Sequence, residues 1–538
     1  MMKLHTILTI LALLILASIL TNFATKTKES LEFLVATSNC EIVRSYKATK
    51  GLLLDGIIKS LVESQDFSSY CRDDFNVARE WFLNMTNHPS AEWPTGDKEY
   101  NNYIKEKYVM EYNNHMKEYN NYMKERLILA LIYSANCKDD CSAILIKGRW
   151  LSAKNHCHWR GVTCNKSKEV TKLNMDRFNL TGRFTLFGFN SIQDVCLSDN
   201  SLSGTFAVVG ASENLKRLAL WGNKVTAFTG GNVLKNLATL YLSVNAFEGD
   251  FIINEENFPT SLKLLSFARN KLEGFVGLQI FKTLETLYLD DNEIEGDFII
   301  NEENFPTSLK TLSLTGNNLE GLFGLQILTN LDSLFIERNE IVGNFIINKE
   351  TFPTSIKTLG LPGNKLTGFV GLQILTNLET LFFSYSSDFE GDFIFTEETF
   401  PTSIESLHLT GRKKLTGFAG LQILTSLEEF SFGDTDFLMT GFVGGGILTN
   451  LKDLYLQDNK FEGDFIITSE NFPDSLTYLS LDNNTGLTSI DADSDAVPKL
   501  DILAVEKIEG ITVKEGLCKR PGRIVYSSKN ACADIFEE

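Results

Sequence analysis

Leu284-Glu-Thr-Leu287-Tyr-Leu289-Asp-Asp-Asn292-Glu-Ile294 decides the fold. Apolar residues stand at positions 1, 4, 6 and 11, with an asparagine at position 9. The same spacing starts at Val170, Ile192, Leu215, Leu237, Leu262, Leu284, Leu309, Leu331, Ile356, Leu378, Ile404, Leu427, Leu451, Leu476 and Leu500. Self-similarity at a period of about 20–29 residues is the mark of a solenoid. Positions 1, 4 and 6 point inward from a short strand and stack on the same positions of the next coil. One coil cannot bury its apolar face alone, whereas a stack buries a continuous core. The asparagine, at Asn200, Asn223, Asn245, Asn270, Asn292, Asn317, Asn339, Asn364 and Asn459, is expected to bridge the backbone of adjacent turns through its amide. Parallel strands ~4.8 Å apart give about 15 coils an arc on the order of 70 Å.

A second period lies on the first. Asp250-FIINEENFPTS returns at Asp297, as Asn344-FIINKETFPTS, as Asp392-FIFTEETFPTS and as Asp464-FIITSENFPDS. A shorter coil, such as Gly321-LFGLQILTNLDSLFI, alternates with it, so the shared unit is 47 residues, the step from Asp250 to Asp297 and on to Asn344. Proline in the FPTS corners fixes φ where the chain turns back toward the next strand. Three consecutive coils break the pattern: Ser386, Arg412 and Thr435 stand at the asparagine place. Drift in a tolerant array explains them, and so does a bulged zone that shapes a binding surface.

Just before the first coil stands Trp150-Leu-Ser-Ala-Lys-Asn-His-Cys157-His-Trp159-Arg-Gly161-Val-Thr-Cys164. C-x-W-x-G-V-x-C with an upstream tryptophan resembles the N-terminal cap of plant-type leucine-rich-repeat ectodomains, also seen in related algal proteins. The resemblance covers roughly residues 126–512. It implies an α/β leucine-rich-repeat solenoid with a curved parallel sheet and disulfide caps. It also implies a Cys157–Cys164 disulfide and cap packing by Trp150 and Trp159. Metal binding by His156, Cys157, His158 and Cys164 is the rival reading, but that spacing fits no common zinc arrangement, and no metal is expected. The family's L-x-G-x-I-P corner is only partial, as in Leu202-Ser-Gly-Thr-Phe, which leaves the second sheet of such coils open. No kinase motif is found: neither a Gly-rich loop over phosphates nor a D-F-G pattern occurs.

The flanks read less sharply. Ile7 to Leu20 is an apolar run of signal-peptide length, shorter than the ~20 residues of a full span. Residues 1–24 are therefore a signal peptide, cleaved after Ala24 or near Ala17, or an uncleaved anchor formed by residues 7–20. Either route leads to secretion or the cell surface, where disulfides form. The sequons at Asn84, Asn165, Asn179 and Asn483 agree with that route. Residues 25–148 form a helical extension, with amphipathic stretches at Arg79–Leu83 and after Glu125. Residues 149–169 are the cap, 170–512 the array and 513–538 a C-terminal cap stapled by Cys518 and Cys532. Cys40 with Cys71 and Cys137 with Cys141 are further possible pairs. Cys196, on an outward strand position, is left free or intermolecular.

Over 538 residues the net charge is -19. That sign repels phosphate backbones and argues against a nucleic-acid partner. The six histidines make no triad or metal spacing, so neither an enzyme nor a cofactor is expected. The glycines from Gly441 to Gly446 fall at a coil corner and read as a turn, not a phosphate loop. What the array offers is a surface. Position 5 carries Tyr241, Tyr288, Phe335, Phe382, His408 and Tyr455, with small residues between most of them. Exposed aromatics in a row suit a protein or peptide ligand, or stacking on sugar rings. Position 2 alternates Lys263, Glu285, Lys310, Asp332, Lys357 and Glu379, placing opposite charges side by side. The expected function is recognition of a protein or peptide by the concave face, in a receptor-like, adhesion or inhibitor role. A carbohydrate-binding wall protein and a structural coat protein are the alternatives.

Overall fold

The computed structural model describes residues 155–210, 212–385, 391–411, 415–433, 445–493, 495–513 and 524–526, together with Glu125, Ile128, Leu129, Ile132 and Leu517. The chain divides into two compact units, residues 1–135 with 142–160, and residues 136–141 with 161–538.

In the first unit Glu125, Ile128, Leu129 and Ile132 are helical and buried. Their i, i+3, i+4, i+7 spacing is one face of a helix, as the sequence after Glu125 predicts. A short 3-10 turn spans His156–His158, and the Asn155 side chain accepts from the Cys157 N–H at 3.0 Å. Buried His156 lies 3.8 Å from the buried Glu125 carboxylate, and its ring meets Trp159 edge to face at 6.3 Å. Cys157 and Cys164 are joined in a disulfide.

The second unit is the solenoid. Its main sheet has 17 strands. Val162–Cys164 pairs antiparallel with Val170–Asn174, and from there on the neighbours are parallel. Every start named above seeds one of these strands, as Leu284 seeds Thr286–Tyr288. Most are three residues long, positions 3 to 5 of a coil, and further backbone bonds join adjacent coils on either side, as Leu289 N–H donates to the Ser313 carbonyl at 2.9 Å. Position 4 is fully buried, as at Leu287, Leu312 and Leu334. Burying each such leucine contributes about 1.5–3 kcal/mol. The sheet continues one strand past residue 512: Ile524–Tyr526 pairs parallel with Ile502–Ala504.

The asparagine ladder forms as the sequence predicts. Asn292 Nδ2 donates to the Leu289 carbonyl at 3.0 Å and to the Phe267 carbonyl at 3.2 Å, while its Oδ1 accepts from the Leu272 N–H at 3.1 Å. One buried amide thus satisfies groups of two coils that no strand reaches. Asn484 makes the same bonds in the coil begun by Leu476 and extends the ladder beyond Asn459. A second, serine ladder runs through the FPTS and FPDS corners. Ser261, Ser308, Ser355, Ser403 and Ser475 each donate to the position-1 carbonyl of the coil before, at 2.9, 2.8, 2.8, 2.8 and 2.6 Å.

The second row of strands, left open by the partial corner motif, is present but interrupted. Glu248–Ile252 pairs with Lys271–Val276, Glu295–Ile299 with Asn318–Phe323, and Val342–Ile346 with Lys365–Val370. Gly391–Ile394 pairs likewise with Leu415–Ala419. Within a doublet the strands bond; these four doublets remain separate two-stranded sheets. The 47-residue sequence unit is therefore also the structural unit. Each doublet closes on a glycine: Gly277, Gly324, Gly371 and Gly420 have φ of 98°, 81°, 88° and 80°. A Cβ at Gly324 would fall 1.8 Å from the Ile300 carbonyl oxygen of the preceding coil. Positive φ and that approach both demand glycine.

The coils without a ladder asparagine behave differently. Their strands lengthen to Thr380–Tyr385, Ser406–Gly411 and Glu429–Gly433. Register runs unbroken from Thr380↔Ser406 to Tyr385↔Gly411, so these strands carry no bulge. The Phe432 carbonyl at the end of this zone still receives the Asn459 amide at 2.8 Å. Ser386, Arg412 and Thr435 themselves lie outside the described residues.

Candidate functional site

Strand register places the position-5 residues on one line. Tyr241 pairs with Ser266, Ser266 with Tyr288, Tyr288 with Ser313, Ser313 with Phe335, and Phe335 with Gly360. The line continues through Phe382, His408, Ser431, Tyr455 and Ser480. Alternate members are two strand separations apart, ~10 Å. The geometry brings all six aromatic and histidine side chains named from the sequence onto one face.

They do not stand free, as the sequence reading expects. All six are half-buried, and the small residues between them are buried: Ser266, Ser313, Gly360 and Ser431. The cause is visible at Gly360. A Cβ there would meet Phe335 Cδ1 at 2.9 Å and Glu337 Oε1 at 2.2 Å, so ring and carboxylate already occupy the space above it. A large residue beside a small one leans into the gap and recovers apolar burial. Burial also pushes the Tyr288 and Tyr455 hydroxyls to higher pKa. At one end Arg217 sits over the Tyr241 ring, 5.5 Å from its centre.

Charges order the rest of the face. Asp291 is held by Arg269 at 3.2 Å and Arg338 at 2.8 Å. Ser313 donates to Asp290, which burial pushes above the usual carboxylate range, and Thr315 donates to Glu337. Along position 2, Glu285 lies 3.0 Å from Lys310 and 3.4 Å from Lys263, and Lys310 first, then Lys263, pulls its carboxyl down. Lys357 meets Glu379 at 2.7 Å. There the alternation stops, because Glu379, Glu405 and Glu428 follow one another before Lys452.

That change coincides with the long strands. His408 stacks on Phe382 with ring centres 4.6 Å apart. Its Nε2 lies 2.9 Å from Ser406 Oγ, and Ser406 donates to Glu429 at 3.0 Å. Burial lowers the histidine's pKa, against the opposing pull of Glu429. Histidine is thus half-enclosed here, not the surface side chain its strand position suggests. Serine and acid meet the histidine at one nitrogen, since Glu429 Oε1 stands 3.7 Å from the same Nε2. A nucleophilic serine needs the histidine in the middle, with the acid behind it. Sequence reasoning missed Ser406, Glu429, Arg217 and Arg338; the loss of charge alternation after Glu379 is the signal that marks the zone.

Other predicted positions separate. Cys196 is a free thiol, but it is buried, contrary to its outward strand position. Arg217 Nη1 reaches to 3.5 Å of its sulfur while also pairing with Asp194, and burial pushes the thiol up. A sulfur so covered is poorly placed for an intermolecular bond. With Cys157 and Cys164 bonded to each other, neither is a thiolate that could hold a metal. Trp159 is buried. Asn165 and Asn179 are exposed, whereas the Asn483 amide is engaged 2.5 Å from Asp458. The third glycine of the 441–446 stretch, Gly445, opens a 3-10 turn, Gly445–Ile447, as a coil corner requires. Asn84, Trp150, Cys518, Cys532 and residues 7–20 lie outside the described residues. Among the described residues no helix is long and apolar enough to cross a membrane.

No family model matches the chain, and no curated protein matches it in sequence. Solved structures do. A leucine-rich-repeat protein of Leptospira interrogans is 19% identical, with a TM-score of 0.46, covering 66% of this chain and 95% of that one. The PEPR1–AtPEP1 complex is 22% identical, with a TM-score of 0.43, over 73% of this chain and 54% of that one. YopM, a leucine-rich effector of Yersinia pestis, is 19% identical, with a TM-score of 0.39, over 63% and 78%. With its asparagine ladder, its stacked leucines and its parallel sheet of one strand per coil, the chain folds as a leucine-rich-repeat solenoid.

Proposed function

We propose that this protein is an extracytoplasmic recognition protein that binds a protein or peptide on the open face of its main sheet. The observation that supports it is the register line of half-exposed aromatics, Tyr241 to Tyr455, set between ordered charge pairs. Tyrosine and phenylalanine with restrained rings lose little entropy on contact and dominate interface energetics. Each is seated by a small neighbour, which fixes its ring before a ligand arrives. The Cys157–Cys164 bond supports an oxidising compartment, in keeping with the apolar run Ile7 to Leu20.

The test is affinity capture from secreted material with the full chain and with a Tyr288→Ala, Phe335→Ala, Phe382→Ala variant. One protein retained by the native chain and lost by the variant is the expected result. Equal retention by both would remove the aromatic line from the binding face. Retention on a glycan array, lost in the same variant, would replace the peptide reading with the carbohydrate one.

A further inference from the structure

The second row of strands carries an apolar stripe that the fold does not use. Ile252 and Val276 are register partners and are 65% and 59% exposed. Ile299 and Phe323 are partners at 60% and 53%, Ile346 and Val370 at 62% and 50%, and Ile394 follows at 60%. Scattered exposed apolar residues need no explanation, but one at the same place in successive coils is a patch. The stripe is bounded. At the corresponding place in the coils before it stand Ala207 and Thr229, and in the last doublet Ile466 faces Asp491.

Its borders are acidic. On the first two doublets Glu248, Asp250, Glu273, Glu295, Asp297 and Glu320 are exposed, and Lys271 is the one base on those four strands. Like charge sets the stripe against a second copy of the chain, an anionic lipid surface and a nucleic acid alike. Length and spacing add a shape. Eight coils from Ile252 to Ala419 cover on the order of 40 Å at ~4.8 Å each. Residues on one helix face recur every three or four positions, about 4.5–6 Å along the axis. An extended strand would advance ~10 Å in three residues and turn alternate side chains away.

We propose that the stripe is a docking site for a cationic amphipathic helix of about 25 residues, apolar on one face and flanked by lysine or arginine. The helix lies across the doublets with its apolar face on the Ile/Val/Phe stripe and its basic flanks on the bordering carboxylates. This site is separate from the main-sheet face and does not depend on what that face binds.

The probe is a synthetic 25-residue leucine/lysine amphipathic helix, with a leucine/glutamate helix of the same pattern as its control, titrated into the full chain by fluorescence anisotropy. Native protein should bind the cationic helix and not the anionic one. The Ile299→Asn, Phe323→Ser, Ile346→Asn variant should bind it at least tenfold more weakly. An Ile252→Asn, Val276→Thr variant, altered at another doublet, should weaken it as well, with the unfolding midpoint confirming that each variant folds. The Tyr288→Ala, Phe335→Ala, Phe382→Ala variant should bind like the native chain, so a failed sheet-face reading leaves this result intact. Equal affinity of native and stripe variants would overturn the proposal by reducing the contact to net charge. Sedimentation showing a dimer that only the stripe variants lose, or capture by anionic vesicles that only they lose, would overturn it in favour of those occupants.

Discussion

The coils between Leu237 and Leu366 and those between Leu378 and Gly433 solve the same problem in two ways. Each must satisfy backbone groups where the chain leaves the main sheet. In the first region a buried asparagine does so, and strands stop at three residues. In the second no coil carries an asparagine at position 9, strands run five or six residues in unbroken register, and a bridging amide comes from Asn459 of the next coil. In both regions positions 7 and 8 bond to the neighbouring coils, as the Asp290 carbonyl accepts from the Arg269 N–H and the Asp291 N–H donates to the Thr315 carbonyl, so the difference lies in the asparagine bridge itself. The contrast teaches that the asparagine is one answer to a backbone requirement, and that its loss reshapes the surface without breaking the register.

The largest test of that contrast is Asn317→Ala. It leaves the buried Ile294 N–H without its acceptor and removes one of two asparagine donors from each of the Leu289 and Leu314 carbonyls, which Asn292 and Asn339 still serve. With ~1–3 kcal/mol for the unsatisfied N–H and ~0.5–1.5 kcal/mol for each of the two lost bonds, a loss of roughly 2–6 kcal/mol is expected from urea unfolding. The matching change in the second region, Phe383→Leu, restores the consensus at position 6 and touches no bridge. It should cost only ~1 kcal/mol. Equal losses would erase the distinction between the regions.

Gly360→Ala is next in size. The new methyl meets the Phe335 ring and the Glu337 carboxylate, both of which must swing away, at a cost of ~1–3 kcal/mol. Near-ultraviolet circular dichroism should report the ring's release, and an unchanged spectrum would mean that Phe335 is not seated there.

The smallest effect is a pH dependence peculiar to the second region. His408 is held below its ordinary value near 6.5 by burial against Phe382 and Ser406, with Glu429 pulling the other way. The unfolded chain therefore binds the proton more readily. Stability is full above pH ~6.5 and falls as pH drops through the lowered folded value. His408→Gln should flatten that part of the profile, and an unaltered slope would assign it to the carboxylates.

Much of this was legible in the sequence. The place of each main-sheet strand from Val170 to Leu500 follows from five fixed positions, because stacking in one dimension makes local spacing sufficient. The aromatic line followed too, since position 5 shares one register. Its half-burial did not, because leaning depends on the neighbouring coil 22–26 residues away. Cys196 was misjudged for the same reason: alternation along its strand points it outward, and Arg217 of the next coil covers it. The doublet break in the second row was present as the 47-residue identity, yet only the pairing shows that the corner strands bond two by two.

That pairing fixes how the molecule can change length. A coil added or removed singly would set two long coils or two short ones side by side and leave a corner strand widowed. A deletion of residues 274–320, one whole 47-residue unit, joins a coil to its own equivalent and keeps every doublet intact. Unequal crossing-over between near-identical units makes that change in one event. The reach of the array can therefore lengthen or shorten across generations in quanta of two coils, about 10 Å each, with the register of its face preserved.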